Sequence, residues 1–248
     1  MPGTKKILPG TIAALAMALG SCTTAPPPAV QTKKQDTVTT RLPQEEHGYE
    51  KKMKDAGLVN IQEADPTIIV DLKYSTADNF LGFDIYGTLD KCYLQPDVAQ
   101  KLVQANRYLK ETDSSYTLLV YDGARPRSIQ QKMWDTVKTM PVKQATYVSN
   151  PRRGSLHNFG AAVDLTIAGA DGTPLDMGTP YDFFGDLAHT DKDQYFLSTG
   201  QLSEEQISNR KLLRTVMYRA GFFGIQSEWW HFNSCTRDVA ATKYKIIE

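Results

Sequence analysis

The chain has 248 residues, 41% hydrophobic and 23% charged, an ordinary globular composition sufficient for one well-buried core. Lysine plus arginine equals aspartate plus glutamate at 28 each, so no basic excess points to nucleic acid, and there is no acidic tail. No internal repeat of about 20–50 residues occurs, which argues against a repeat architecture.

Residues 1–21 read as a processed leader. Lys5 and Lys6 give a positive start, and the apolar run over 7–19 is interrupted by Pro9 and Gly10 and too short for a comfortable membrane span. Small residues then lead into Leu19-Gly20-Ser21-Cys22, which resembles a bacterial lipoprotein signal with its lipobox. The resemblance implies cleavage before Cys22, lipid on its thiol, and an exported protein anchored to the cell envelope, periplasm-facing in a Gram-negative host. The plainer alternative is a secretory signal with a chance cysteine. Residues 22–45, with Pro26-Pro27-Pro28 and several Thr and Lys, cannot bury apolar surface and read as a disordered tether. Loss of 1–21 removes two lysines and no acid, so charge attraction to anionic lipid is not what would hold the chain. The folded domain is expected over 46–248.

Within that domain, residues 67–74 are β-branched and alternating, and predict a strand. Residues 75–90 are a loop punctuated by Gly and Asn. Gln95-Pro96 opens a helix in which Val98, Leu102, Ala105 and Leu109 share one face. Residues 116–121 predict a second strand ending in Asp122-Gly123, and 127–138 a helix. Residues 162–167 form a third strand candidate, cut off by Gly169 and Asp171-Gly172. Ser203 and Gln206 make a capping box for a long helix that Gly221 closes. Residues 225–232 read as a final aromatic strand. Strands and helices do not alternate strictly, so the class is α+β: a single domain with a mainly antiparallel central sheet and helices packed on it. In an exported protein Cys92 and Cys235 could pair, or stay as separate buried thiols.

Two segments carry the chemistry. One is Ser155-Leu-His157-Asn-Phe-Gly160-Ala-Ala-Val-Asp164; the other is Glu228-Trp-Trp-His231. Two imidazoles, a carboxylate and a second carboxylate nearby suffice for a zinc hydrolase: three protein ligands, a fourth position open to water, and a base. A glutamate walled by Trp229, Trp230 and Phe232 has a raised pKa suited to taking and returning a proton. Alone, each segment also fits a bland reading, a surface His with a structural Asp or a Glu–His pair on an aromatic strand. Cys235 is a further possible ligand, and His189 reads as a solvated loop residue.

The pattern Ser155-x-His157-x-x-Gly160-x-Ala162-x-Asp164 followed by Glu228-x-Trp230-His231 resembles the D-alanyl-D-alanine dipeptidases of the VanX type. These are zinc peptidases grouped with D,D-carboxypeptidases and the hedgehog domain. Leu72-Lys-Tyr74-x-Thr76-x-Asp78-Asn79-Phe80, Asp122-Gly123-x-Arg125-Pro126, Asp176-Met177-Gly178 and Asp182-Phe183 extend the likeness over about residues 55–235. The resemblance implies one zinc per chain, held by His157, Asp164 and His231. It makes Glu228 the general base and acid and gives Arg125 the developing oxyanion. Asp182 and Tyr74 would hold the substrate's ammonium, and Ser155 would contact substrate. The implied reaction is hydrolysis of D-alanyl-D-alanine, or a related D-amino-acid dipeptide, in cell-wall peptide turnover. A D,D-carboxypeptidase that trims stem peptides and a non-catalytic hedgehog-like module remain alternatives. The residue before Arg125-Pro126 is commonly aromatic in the family; here it is Ala124, which is expected to enlarge the pocket beside Arg125.

Overall fold

The computed structural model describes residues 46–139 and 148–248. The leader, Cys22 and the tether lie outside the described residues. In chain order the elements begin with helix α1 (Glu46–Asp55), strand β1 (Val59–Asn60), a single turn α2 (Ile61–Ala64) and strand β2 (Ile69–Val70). Strand β3 (Tyr93–Leu94) leads into helix α3 (Pro96–Thr112), then strand β4 (Thr117–Asp122) and helix α4 (Arg127–Val137). Strand β5 (Ala162–Ala168), helices α5 (Asp193–Ser198) and α6 (Glu204–Arg219), strands β6 (Phe223–Gly224) and β7 (His231–Asn233), and helix α7 (Arg237–Lys243) complete the unit.

The expected helices form for the expected reasons. Pro96 occupies the first turn of α3, where a missing N–H costs nothing, and Val98, Leu102, Ala105 and Leu109 are buried along one face. Ser203 Oγ accepts from the Gln206 amide while the Gln206 side chain accepts from the Ser203 amide, and α6 ends where Gly221 adopts φ +85°. Helices α3 and α6 pack on each other and against β4 and β5. Val163, Leu165 and Ile167 share one core with Leu102, Leu109, Leu213 and Met217.

The main sheet runs β2-β4-β5-β7-β6, with β2 parallel to β4 and every other neighbour antiparallel. A second, two-stranded antiparallel sheet pairs β1 with β3. The α+β class and the mainly antiparallel sheet hold. Two strands are shorter than expected. Of residues 67–74 only Ile69–Val70 pair, and the chain then tightens into a 3₁₀ turn, Lys73–Ser75, that buries Tyr74. Of residues 225–232 only the end lies in β7. A strand sends residues i and i+3 to opposite faces, yet Glu228 and His231 line one cavity, so the chain must bend between them. Cys92 is buried, Cys235 is half-buried, and both are free thiols.

Candidate active site and metal centre

The sheet itself brings the two distant segments together. Asp164 of β5 is the cross-strand partner of His231 of β7, and on its other side of Asp122 of β4. His157 arrives from outside the sheet, on the 3₁₀ turn Leu156–Phe159. Ser155 caps that turn: its Oγ accepts from the His157 amide (3.3 Å) and its own amide donates to Asn158 Oδ1 (2.6 Å). Gly160 closes the turn with φ +64°, where a Cβ would also stand 2.8 Å from Leu58 Cδ2, so only glycine fits. The turn is stitched to the segment after β4, because the Arg125 amide donates to the His157 carbonyl (2.9 Å) and Asn158 Nδ2 to the Arg125 carbonyl (2.8 Å).

One ligand atom from each of His157, Asp164 and His231 lies within 4.8 Å of the others. His157 Nδ1 donates to the Gly123 carbonyl (2.7 Å), which can only accept, so Nε2 presents its lone pair. His231 Nε2 donates to Asn233 Oδ1 (2.9 Å), which frees Nδ1 in the same way. Those two lone pairs stand 3.2 Å apart, and Asp164 Oδ1 lies 2.9 Å from His231 Nδ1 and 3.4 Å from His157 Nε2. With both imidazoles neutral, three acceptors converge with no proton between them, an arrangement that calls for a cation. Donors about 2.0–2.1 Å from a tetrahedral zinc would be roughly 3.3 Å apart, and the observed triangle matches. The donor set therefore fits the metal. Cys235 is not among the convergent donors, and His189 is half-buried in a loop between Asp186 and Asp191.

The electrostatics follow from crowding. Burial alone would raise the pKa of Asp164, but His157 and His231 hold it well below the usual carboxylate range. With no metal bound, burial opposes protonation of His231 and the hydrogen bond from its Nδ1 to Asp164 overcomes it, lifting the imidazole to about 9; a bound cation would take the place of that Nδ1 proton. Glu228 Oε2 lies 4.0 Å from His231 Nδ1, and burial raises its pKa above the ordinary glutamate value. Arg125 donates through Nε (3.0 Å) and Nη2 to Asp122 Oδ2 and through Nη1 to Gln130 Oε1 (3.0 Å). Asp182 is the one non-glycine residue with positive φ, +59°, among those described. Its Oδ1 accepts from the Tyr74 hydroxyl (3.2 Å), while Oδ2 is buried without a hydrogen-bond partner. Burial and then the nearby Asp164 push its pKa well above the carboxylate range, against Arg125 and Tyr74.

All of Tyr74, Arg125, Ser155, His157, Asp164, Asp182, Glu228 and His231 line one cavity of about 250 Å³. The Peptidase M15 family, described as D-ala-D-ala dipeptidase, matches residues 54–247. The chain belongs to this family. As an M15 peptidase it is a metallopeptidase of a zinc-dependent family. It is 34% identical over 175 residues to the D-alanyl-D-alanine dipeptidase of Escherichia coli (strain K12), covering 71% of this chain and 83% of that protein. It is 28% identical over 177 residues to the D-alanyl-D-alanine dipeptidase of Enterococcus faecium, covering 65% of this chain and 83% of that one. Among solved structures, the D,D-pentapeptidase VanY of a VanB-type cassette, with Zn(II), aligns at 16% identity and TM-score 0.36, covering 62% of this chain and 79% of that chain.

Several residues that shape this M15 site carry no signal in the motifs. The Tyr181 hydroxyl donates to Asp164 Oδ2 (3.1 Å), which turns Oδ1 toward the two imidazoles. Tyr86 donates to Asp122 Oδ1 (2.7 Å) and fixes the carboxylate that holds Arg125. Gln130, Asn233 and Arg237 complete the supporting set. Only Asn233, two residues after His231 on the same strand, could have been reached by strand periodicity. The expected role of Ala124 is corrected. Its amide donates to the Tyr93 carbonyl (2.8 Å), its methyl is buried in the core, and it is not among the residues that line the cavity.

Proposed function

We propose that this protein hydrolyses D-alanyl-D-alanine to two D-alanines in cell-wall peptide turnover, with one zinc per chain. The observation that carries the reading is the unpartnered Asp182 Oδ2, buried in the same small cavity as the convergent His157, Asp164 and His231 donors. A buried carboxylate oxygen without a partner is costly unless a cation reaches it. A free peptide ammonium is such a cation, and its arrival would restore the charged form that burial disfavours. The dipeptidase relatives of like sequence support the same substrate. A cavity of about 250 Å³ lies just below the usual range of small-molecule sites and suits a dipeptide.

Zinc held by His157, Asp164 and His231 would supply a Lewis acid that activates water and polarises the scissile carbonyl. Glu228 takes the proton of the attacking water and returns it to the leaving D-alanine amine; its raised pKa keeps that proton available between the two events. Arg125 has five N–H donors, of which three are committed to Asp122 and Gln130; two remain on a guanidinium that lines the cavity and would serve the developing oxyanion. Tyr74 orients Asp182 toward the substrate amine.

The test is D-alanine release from free and N-acetylated D-alanyl-D-alanine. Acetylation removes the ammonium, and a charge-assisted hydrogen bond is worth roughly 1.5–3 kcal/mol, so kcat/KM falls at least about tenfold. Asp182→Asn loses activity on the free dipeptide and discriminates less between the two. Equal wild-type rates on both substrates sink the dipeptidase reading and favour the D,D-carboxypeptidase.

The location belongs to the same reading: an exported protein, lipid-anchored through Cys22 to the cell envelope. Among the described residues no helix is long and apolar enough to cross a membrane, and the support is the sequence at 19–22. On this reading the activity acts on wall material outside the cytoplasm. Metabolic labelling with a radiolabelled fatty acid marks the wild type and not Cys22→Ala; an unlabelled wild type contradicts the anchor.

A further inference from the structure

Tyr181 and Asp182 lie on a stretch of chain that has to be held from outside the cavity. Residues 178–185 form neither helix nor strand. Asp182 stands at φ +59°, a backbone conformation that persists in a residue other than glycine only where the surroundings impose it. Toward the cavity the stretch makes single hydrogen bonds: Tyr181 donates to Asp164 (3.1 Å), and Asp182 accepts from Tyr74 (3.2 Å).

Helix α6 supplies the hold from behind. Gln206 Nε2 donates to Asp176 Oδ2 (2.8 Å), and Asn209 Nδ2 donates to the Asp176 carbonyl (2.9 Å). Arg210 is 1% exposed. It donates through Nε to the Met177 carbonyl (2.7 Å) and through Nη2 to the Leu187 carbonyl (3.0 Å). One planar guanidinium therefore ties together the two ends of the loop that carries Tyr181 and Asp182. Its Nη1 donates to Asp193 Oδ1 (2.8 Å), while Asp193 Oδ2 accepts from Arg214 Nη2 (2.9 Å). One carboxylate thus serves two cations. Burying such a cluster is weak as a source of stability, and an apolar side chain of similar volume often does as well. An apolar side chain could not bind both carbonyls, each of which needs a partner once buried.

We propose that Arg210 is a positioning residue for substrate recognition: by closing the loop between Met177 and Leu187 it sets Asp182 against the substrate's ammonium. This rests on the dipeptidase reading and deepens it, since it names what fixes the ammonium site. Arg210 acts through the backbone and is not among the residues that line the cavity.

The experiment uses the full-length zinc-loaded protein with free and N-acetylated D-alanyl-D-alanine. Arg210→Lys keeps a charge for Asp193 and lacks the planar fork that joins the two carbonyls. Its KM for the free dipeptide rises about tenfold, and its preference for free over acetylated dipeptide falls by a similar factor. Hydrogen exchange at the amides of 178–186 speeds up while that of β4 and β5 does not. Arg214→Met, which touches the same Asp193 but neither carbonyl, keeps the wild-type preference. An unchanged preference in Arg210→Lys overturns the proposal. So does an equal loss of preference in Arg214→Met, which would make the ion cluster merely structural. If Arg210→Lys does not fold, Asn209→Ala decides: it loosens the adjoining hold on Asp176 and lowers the preference by a smaller factor, and an unchanged preference there overturns the proposal. Any of these results with a wild type that prefers the free dipeptide defeats this inference alone; a wild type without that preference defeats the dipeptidase reading and this inference with it.

Discussion

Replacing Glu228 with glutamine lowers kcat by at least about 100-fold and leaves zinc content near one per chain. The substitution keeps size and polarity and removes only the ability to accept a proton. Glu228 sits on the bend before β7, with Oε2 4.0 Å from His231 Nδ1, so it borders the metal ligands without being one of the convergent three. Its surroundings explain why a glutamate serves there. Burial raises its pKa, Asp164 raises it further, and His231, His157 and Arg125 oppose the rise. A carboxylate so balanced can take a proton from water and give it to an amine within one turnover. Steady-state kinetics and metal analysis of the same preparation decide the matter. Near-normal kcat in Glu228→Gln removes the general base from the mechanism. Loss of zinc with loss of turnover would instead make Glu228 a ligand and overturn the division of roles between it and Asp164.

How much of this could be read from the chain depends on the distance over which each contact is made. His157 and Asp164 lie seven residues apart on a turn and the strand it enters, and Glu228 and His231 three apart on a bend, so each pair is a local pattern. The antiparallel register that sets Asp164 opposite His231 is not local, and only the resemblance to known zinc peptidases joined the two segments in advance. The same holds for the supporting groups. Tyr181 reaches Asp164 from a loop, and Tyr86 reaches Asp122 across 36 positions, by contacts that no periodicity encodes. Helices α3 and α6 were legible because proline, capping box and glycine mark their ends. Strands β1, β3 and β6 are two residues long, too short for alternation to register. The overcalled strand at 225–232 failed for a functional reason, since Glu228 and His231 can share a cavity only if the backbone between them is not extended.

Arg125→Lys lowers kcat by about 100-fold or more while zinc binding and the fold persist. Lysine is the informative choice. Asp122 is fully buried beside Arg125 and directly opposite Asp164 across the strands, so deleting the cation would leave two buried carboxylates facing each other. Breaking a buried pair from one side costs about 3–5 kcal/mol, and Arg125→Ala would confuse lost stability with lost catalysis. Lysine keeps a charge for Asp122 but has no planar fork. In the native site Nε and Nη2 grip Asp122, Nη1 holds Gln130, and Gln130 Nε2 in turn holds the Ser149 carbonyl (2.9 Å), so the two remaining N–H groups are aimed by contacts behind them. Preorganised donors of this kind contribute on the order of 10²–10³ in kcat each. An ammonium drawn onto the buried Asp122 lacks the rigid fork that aims further donors at an oxyanion, so the loss falls on kcat, with KM for the free dipeptide little changed because Asp182 is untouched. Thermal unfolding of the variant within a few degrees of wild type, with full zinc content, establishes that the loss is catalytic. Wild-type kcat in Arg125→Lys would show that charge near Asp122 is all the position requires, and the oxyanion role would pass to the metal alone.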